Sequence, residues 1–134
     1  FQPMLSDKGL SCELDAVPNL MVRCDVNKMQ RVFDNLLRNA VNYSSENTTI
    51  RVAADKVDDN VRIRVINEGN TIPEEKLERI FEQFFRLDTA RSSSSGGAGL
   101  GLAIAKEIVE QHHGKISAES ADGITCFEVV IPRS

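Results

Sequence analysis

Apolar residues recur at helical spacing in two stretches of the chain and alternate with polar ones in several others, a pattern that predicts a mixed helix and strand domain. The clearest helix runs from Asp25 to Tyr43. Val26, Met29, Val32, Phe33, Leu36, Leu37, Ala40 and Val41 share one broad arc, and Asp25 suits the N-cap. A second amphipathic helix is expected over Leu100–His112, with Leu100, Ile104, Ile108 and Val109 inward. Adjacent His112 and His113 cannot converge on one ligand from a helix, so they read as helix-end residues before Gly114, with His113 in a left-handed conformation. Thr48–Lys56 and Val61–Asn67 alternate as a hairpin does, turned at Asp58, Asp59 and Asn60. Lys115–Ser120 and Ile124–Ile131 form closing strands around Asp122 and Gly123, and Pro132 ends the sheet. Short strands are expected at Leu10–Leu14 and Leu20–Arg23. Pro73 opens a short helix over Glu74–Phe81, and at least two of Phe81, Phe84 and Phe85 are expected to plug the core.

A chain of 134 residues fits one domain around one core, and 41% hydrophobic with 27% charged residues is ordinary for a globular protein. The net charge of −4 argues against a nucleic-acid surface, so a bound polyanion would rely on local cations and a metal. Cys12, Cys24 and Cys126 form no C-x-x-C pair, which predicts a reducing compartment and packing roles. No apolar run reaches the ~18 residues of a membrane span, and no signal-peptide pattern is read. Phe1 in place of an initiator methionine suggests a piece of a longer protein.

Three stretches carry candidate chemistry. Between Arg91 and Lys106 a serine run passes through Gly96, Gly97, Gly99 and Gly101 into the second helix. Bare peptide N–H groups facing a helix N-terminus suit phosphate, although a plain flexible linker would look similar. A Walker loop is excluded because no Gly-Lys-Ser/Thr occurs, and a dinucleotide fingerprint is excluded because Leu102 stands where its third glycine belongs. On the first helix Asn35, Asn39 and Asn42 lie within roughly 60° of one another, with Tyr43 beside Asn39. Asparagine is a mediocre helix former, and its amide oxygen is a hard neutral ligand suited to Mg²⁺ that keeps waters and substrate phosphates. Finally, Asn67-Glu-Gly-Asn-Thr-Ile-Pro73 ends a strand, where Gly69 lets the backbone turn close to whatever lies above.

Taken in chain order, these stretches and the Phe81–Arg86 segment resemble the N, G1, F and G2 boxes of the catalytic, ATP-binding domain of bacterial sensor histidine kinases, within the superfamily of gyrase, Hsp90 and MutL. The boxes are Asn35–Tyr43, Asn67–Pro73, Phe81–Arg86 and Gly96–Ile104, and Gly123–Phe127 resembles the last nucleotide-contacting segment. The resemblance implies an α/β two-layer sandwich, a mixed sheet of about five strands with three helices on one face. It further implies a single domain over residues 1–134, with a mobile lid at roughly residues 83–98 beside the ATP. Asn39 would coordinate Mg²⁺ with Asn35 nearby, and Asn42, Tyr43, Phe84, Ala98 and Leu102 would join the nucleotide contacts. Asn67 would read the adenine amino group, and Gly69, Thr71 and Ile72 would line the base pocket. Gly97, Gly99, Leu100 and Gly101 would wrap the phosphates, Arg86 would reach the γ-phosphate, and Thr125 would close the adenine side.

The implied activity is transfer of the γ-phosphate to a histidine on a separate dimerisation domain, and then to a response regulator. The implied setting is the cytoplasmic side of a membrane-anchored sensor, homodimeric when whole and monomeric as an isolated domain. Three positions depart from the family pattern. Asn67 stands for the usual Asp and loses a charge-assisted hydrogen bond, which implies ATP binding in the high-micromolar range or weaker, about 4–6 kcal/mol. Thr71 replaces the last glycine of its box and narrows the turn, and Asn42 replaces a common Lys. Asn35 occupies the place where hydrolysing relatives carry a Glu base, so poor hydrolysis is expected. A nucleotide-binding regulatory module of the same fold and a serine kinase of the same superfamily are the alternatives.

Overall fold

The computed structural model describes Gly9 and residues 11–16, 26–82 and 101–132. The strand expected at Leu20–Arg23, the Asp25 cap and the lid segment lie outside the described residues. Five strands form one sheet: β1 (Ser11–Ala16), β2 (Thr49–Val57), β3 (Asn60–Glu68), β4 (Lys115–Ala121) and β5 (Ile124–Pro132), in the order β1-β2-β3-β5-β4. β1 pairs with β2 in parallel and every other pairing is antiparallel, so the sheet is mixed as expected. Three helices are described, α1 (Val26–Tyr43), α2 (Glu74–Leu77) and α3 (Gly101–Gln111), and their apolar sides share one core with one face of the sheet.

The apolar arc of α1 works as its periodicity implies. Met29, Val32, Leu36, Ala40 and Val41 are buried, while Phe33 and Leu37 pack at the margin of the core. In α3 the inward set shifts: Ala105, Ile108 and Val109 are buried, whereas Ile104 is only half-buried and Leu100 lies outside the described residues. The helix expected over Glu74–Phe81 is shorter than its pattern. After Leu77 the amides of Arg79 and Ile80 bond three residues back, so α-helical pairing gives way to tighter turns. Ile80 and Phe81 still reach the core, and the Phe81 ring meets Phe127 edge-on with centroids 6.0 Å apart. Phe84 and Phe85 lie outside the described residues.

The end of α3 is a Schellman cap. The His113 N–H bonds the Glu110 carbonyl and the Gly114 N–H bonds the Val109 carbonyl, with His113 at φ 63°. Histidine, not the neighbouring glycine, therefore takes the left-handed conformation. Gly114 is required for a different reason, since a Cβ there would lie 2.5 Å from the Val130 carbonyl oxygen. Asp122 and Gly123, at φ 54° and 80°, form the two-residue β4–β5 turn. In the β2–β3 hairpin the turn is Asp58-Asp59 alone, and Asn60 already pairs with Val57.

Candidate functional site

The site begins where apolar register rows end. Across β3, β5 and β4, one row is Ile63, Val129 and Ile116, and the next is Val65, Phe127 and Ala118. One step further, all three strands turn polar together: Asn67, Thr125 and Ser120. Asn67 and Thr125 are each only 3% exposed. Buried polar groups are costly unless hydrogen-bonded, so two of them beside the half-buried Ser120 on the core side mark a place built for partners.

Some partners come from the neighbouring loop. Ser120 Oγ accepts the Ile72 N–H at 2.8 Å and lies 2.8 Å from Thr125 Oγ1. Thr71 Oγ1 accepts the Gly123 N–H at 2.7 Å, and the Gly69 N–H donates to the Gly123 carbonyl at 2.9 Å. Gly123 of the β4–β5 turn is thus fastened through both its N–H and its carbonyl to the loop after β3. The Thr71 hydroxyl is therefore committed to the opposite hairpin.

The C-terminal turn of α1 closes the other side. Ser44 and Gly69 form an isolated bridge, and the Ser45 N–H donates to the Glu68 carbonyl at 2.8 Å. A Cβ on Gly69 would collide with the Tyr43 carbonyl oxygen, so what lies above the strand end is α1 itself. This contact brings Asn39 and Tyr43 over the polar row.

Between them lies a cavity of about 340 Å³. Of the expected nucleotide residues, Asn39, Tyr43, Asn67, Thr71, Ile72 and Thr125 line it. Asn35, Asn42, Gly69, Gly101 and Leu102 are described but do not line it. Asn35 Nδ2 donates to the Gly101 carbonyl at 3.1 Å, tying α1 to the first residue of α3 and leaving Oδ1 as an acceptor. Leu102 packs against the core. Phe84, Arg86, Gly97, Ala98, Gly99 and Leu100 lie outside the described residues.

Sequence reasoning missed Asn70, Pro73 and Lys76 in the lining, and Ser120 behind it. Lys76 is the only charged residue among the lining residues, and it is cationic. Ser120 had a signal: it continues the inward series Ile116, Ala118 as a polar residue. No group of three or more His, Cys, Asp or Glu side chains suited to a metal occurs among the described residues. Of the two amides expected to meet a metal, that of Asn39 lines the cavity and that of Asn35 lies outside the lining; neutral amide oxygens of this kind fit Mg²⁺ arriving with phosphates and waters, not a metal caged by protein alone.

A helix layer on a mixed sheet, with an amide-and-hydroxyl cavity where the two layers part, defines a ligand-binding α/β sandwich. The chain belongs to the family of histidine kinase-, DNA gyrase B- and HSP90-like ATPases, which its residues 24–134 match. It is 51% identical over 132 residues to the sensor protein VanS of Enterococcus faecium, covering 98% of this chain and 34% of that protein. The chain therefore spans about a third of that relative's length. Among solved structures, the nucleotide-free catalytic domain of histidine kinase ThkA superposes with a TM-score of 0.85 at 31% identity, covering 99% of this chain and 85% of that one. ThkA in complex with the response regulator TrrA gives 0.82 at 29% identity, covering 100% of this chain and 37% of that one.

Proposed function

We propose that this chain is the catalytic domain of a sensor histidine kinase, binding Mg²⁺–ATP in the cavity beneath the end of α1. One observation carries the reading: six residues expected to touch nucleotide, drawn from α1, β3, β5 and the loop after β3, line one cavity. Asn67 and Thr125 meet the base edge, and Ile72 and Pro73 supply apolar wall. Asn39, with Asn35 as the second amide, would hold Mg²⁺ arriving with the triphosphate. The magnesium ion supplies charge neutralisation of the phosphates when bound. By the family resemblance, Arg86 and the loop residues Gly97, Gly99, Leu100 and Gly101 would supply the remaining phosphate contacts.

The reaction is transfer of the terminal phosphoryl group to an imidazole nitrogen of a histidine on a separate dimerisation domain. The bond between the γ-phosphorus and its bridging oxygen breaks, a P–N bond forms, ADP leaves and the imidazole gives up its proton. Such transfer depends mainly on positioning and charge neutralisation. Asn35, which cannot take a proton, stands where hydrolysing relatives of the family carry a Glu base, which supports little ATP turnover by the domain alone. A response regulator then takes the phosphoryl group. The likeness to VanS supports a VanR-like regulator, a homodimeric membrane-anchored whole protein with this domain in the cytoplasm, and control of vancomycin resistance.

Calorimetric titration with Mg²⁺–ATP, repeated on Asn39→Ala, tests the site. The variant is expected to weaken binding by at least about tenfold with magnesium present, and far less in EDTA. Equal affinity of the two proteins in magnesium would refute the placement. A second reading, a nucleotide-binding module without efficient transfer, is favoured by Asn67 and by the commitment of Thr71 to Gly123. Incubation with the histidine-bearing dimerisation domain and labelled ATP separates the two, since only the kinase yields base-stable, acid-labile phosphohistidine.

A further inference from the structure

Asn67 and Thr125 are cross-strand partners on one face of the sheet, so their side chains stand side by side at the cavity floor. Neither has a fixed hydrogen-bonding polarity. An amide offers an acceptor oxygen and a donor nitrogen, interchangeable by a half-turn, and a hydroxyl both gives and accepts. We propose that this pocket takes guanine as well as adenine nucleotides, because Asn67 and the Ser120–Thr125 hydroxyl pair can reverse their polarity together. The proposal rests on the reading that the cavity holds a nucleotide base.

The two purines present opposite edges. Adenine donates from its 6-amino group and accepts at N1, whereas guanine accepts at O6 and donates from N1–H. With adenine, Asn67 Oδ1 accepts the amino proton, Thr125 donates to N1, and Ser120 donates to Thr125 across their 2.8 Å contact. With guanine, Asn67 Nδ2 donates to O6, Thr125 accepts from N1–H, and the Thr125 proton turns to Ser120. Ser120 already accepts the Ile72 N–H and has a second lone pair for that proton. A carboxylate at position 67 would accept only, and would repel O6. Ser120 thus acts as a positioning residue: the buried Thr125 keeps its proton paired as donor or acceptor, and in the guanine arrangement the proton of the half-buried Ser120 is left to solvent.

Titration of the 134-residue chain with Mg²⁺ complexes of non-hydrolysable ATP and GTP analogues tests this. The two dissociation constants are expected to agree within about fivefold, since each base finds the same number of neutral hydrogen bonds. Asn67→Asp should widen the ratio in favour of ATP by about tenfold or more, gaining a charge-assisted bond to the amino group and repelling O6. Ser120→Ala should weaken GTP about threefold more than ATP, because the Thr125 proton then lacks an acceptor in the guanine arrangement alone. Ser120→Thr keeps the hydroxyl and should restore the ratio, which a purely structural role would not require. If Asn67→Asp fails to fold, the Ser120 pair carries the comparison. A wild-type preference for ATP above about thirtyfold, or a ratio unmoved by these variants, overturns the proposal while leaving the site reading intact. Failure of both nucleotides to bind overturns the site reading itself.

Discussion

The two faces of the sheet handle polarity in opposite ways. On the helix-covered face, apolar rows end in the neutral groups Asn67, Thr125 and Ser120, the last two joined by a 2.8 Å hydrogen bond. On the other face, Arg62 grips Asp55 through two nitrogens at 3.0 and 2.7 Å, with Glu128 at 3.7 Å from Arg62 and Arg64 at 4.0 Å from Asp55. Those charged side chains stay about one-third exposed, where water shares the cost of ionisation. Charge is kept where solvent reaches it, and the enclosed face is given groups that can be satisfied without it. The same logic makes the cavity receptive: its ionic partners are left for the ligand to bring.

Substitutions on the two faces should separate in size. Leu36→Ala, at a fully buried position of α1, is expected to cost about 2–5 kcal/mol of unfolding free energy in urea denaturation. A loss below half a kilocalorie, roughly, would mean that α1 does not anchor the core. Gly69→Ala pushes a methyl group against the Tyr43 carbonyl and should cost about 1–3 kcal/mol while also weakening nucleotide binding. Unchanged melting and binding would show that the contact between α1 and the β3 end relaxes freely. Asp55→Asn should have the smallest effect, and only over part of the pH range. The Arg62 hydrogen bond holds the Asp55 carboxyl below its ordinary 3.8, so the charged pair stabilises the fold above that value and the stabilisation is lost as pH falls through the lowered one. Wild type should therefore exceed the variant slightly at neutral pH, and the gap should close in acid. A gap that widens on acidification would break the contrast between the faces.

Much of this was readable before any coordinates. The periodicity of α1 named its buried face, because a stripe of Met29, Val32, Leu36 and Ala40 admits one orientation only. Alternation located both hairpins, and the family resemblance singled out Asn67 and Thr125. The turn chemistry also held, with His113 left-handed as expected. What escaped depends on register and long-range approach. Ser120 breaks the inward series Ile116 and Ala118 with a polar residue, but only the pairing of β4 with β5 sets it beside Thr125. The Thr71–Gly123 bond joins positions 52 residues apart, and no local pattern announces it. Gly114 looked like the residue that stops a helix by its own backbone freedom, whereas the Val130 carbonyl excludes a side chain there. The shortened α2 was hidden because Leu77, Ile80 and Phe81 keep helical spacing while the hydrogen bonds tighten.

Strand order has a further consequence. β5 follows β4 in the chain, yet it inserts between β3 and β4 and carries Thr125 with it. During synthesis at about 5–20 residues per second, β3 waits with an open edge until β5 leaves the ribosome. The pocket therefore cannot ripen by stages. A nascent chain holds the asparagines of α1 early, but gains a floor beneath them only when its last described strand slides home.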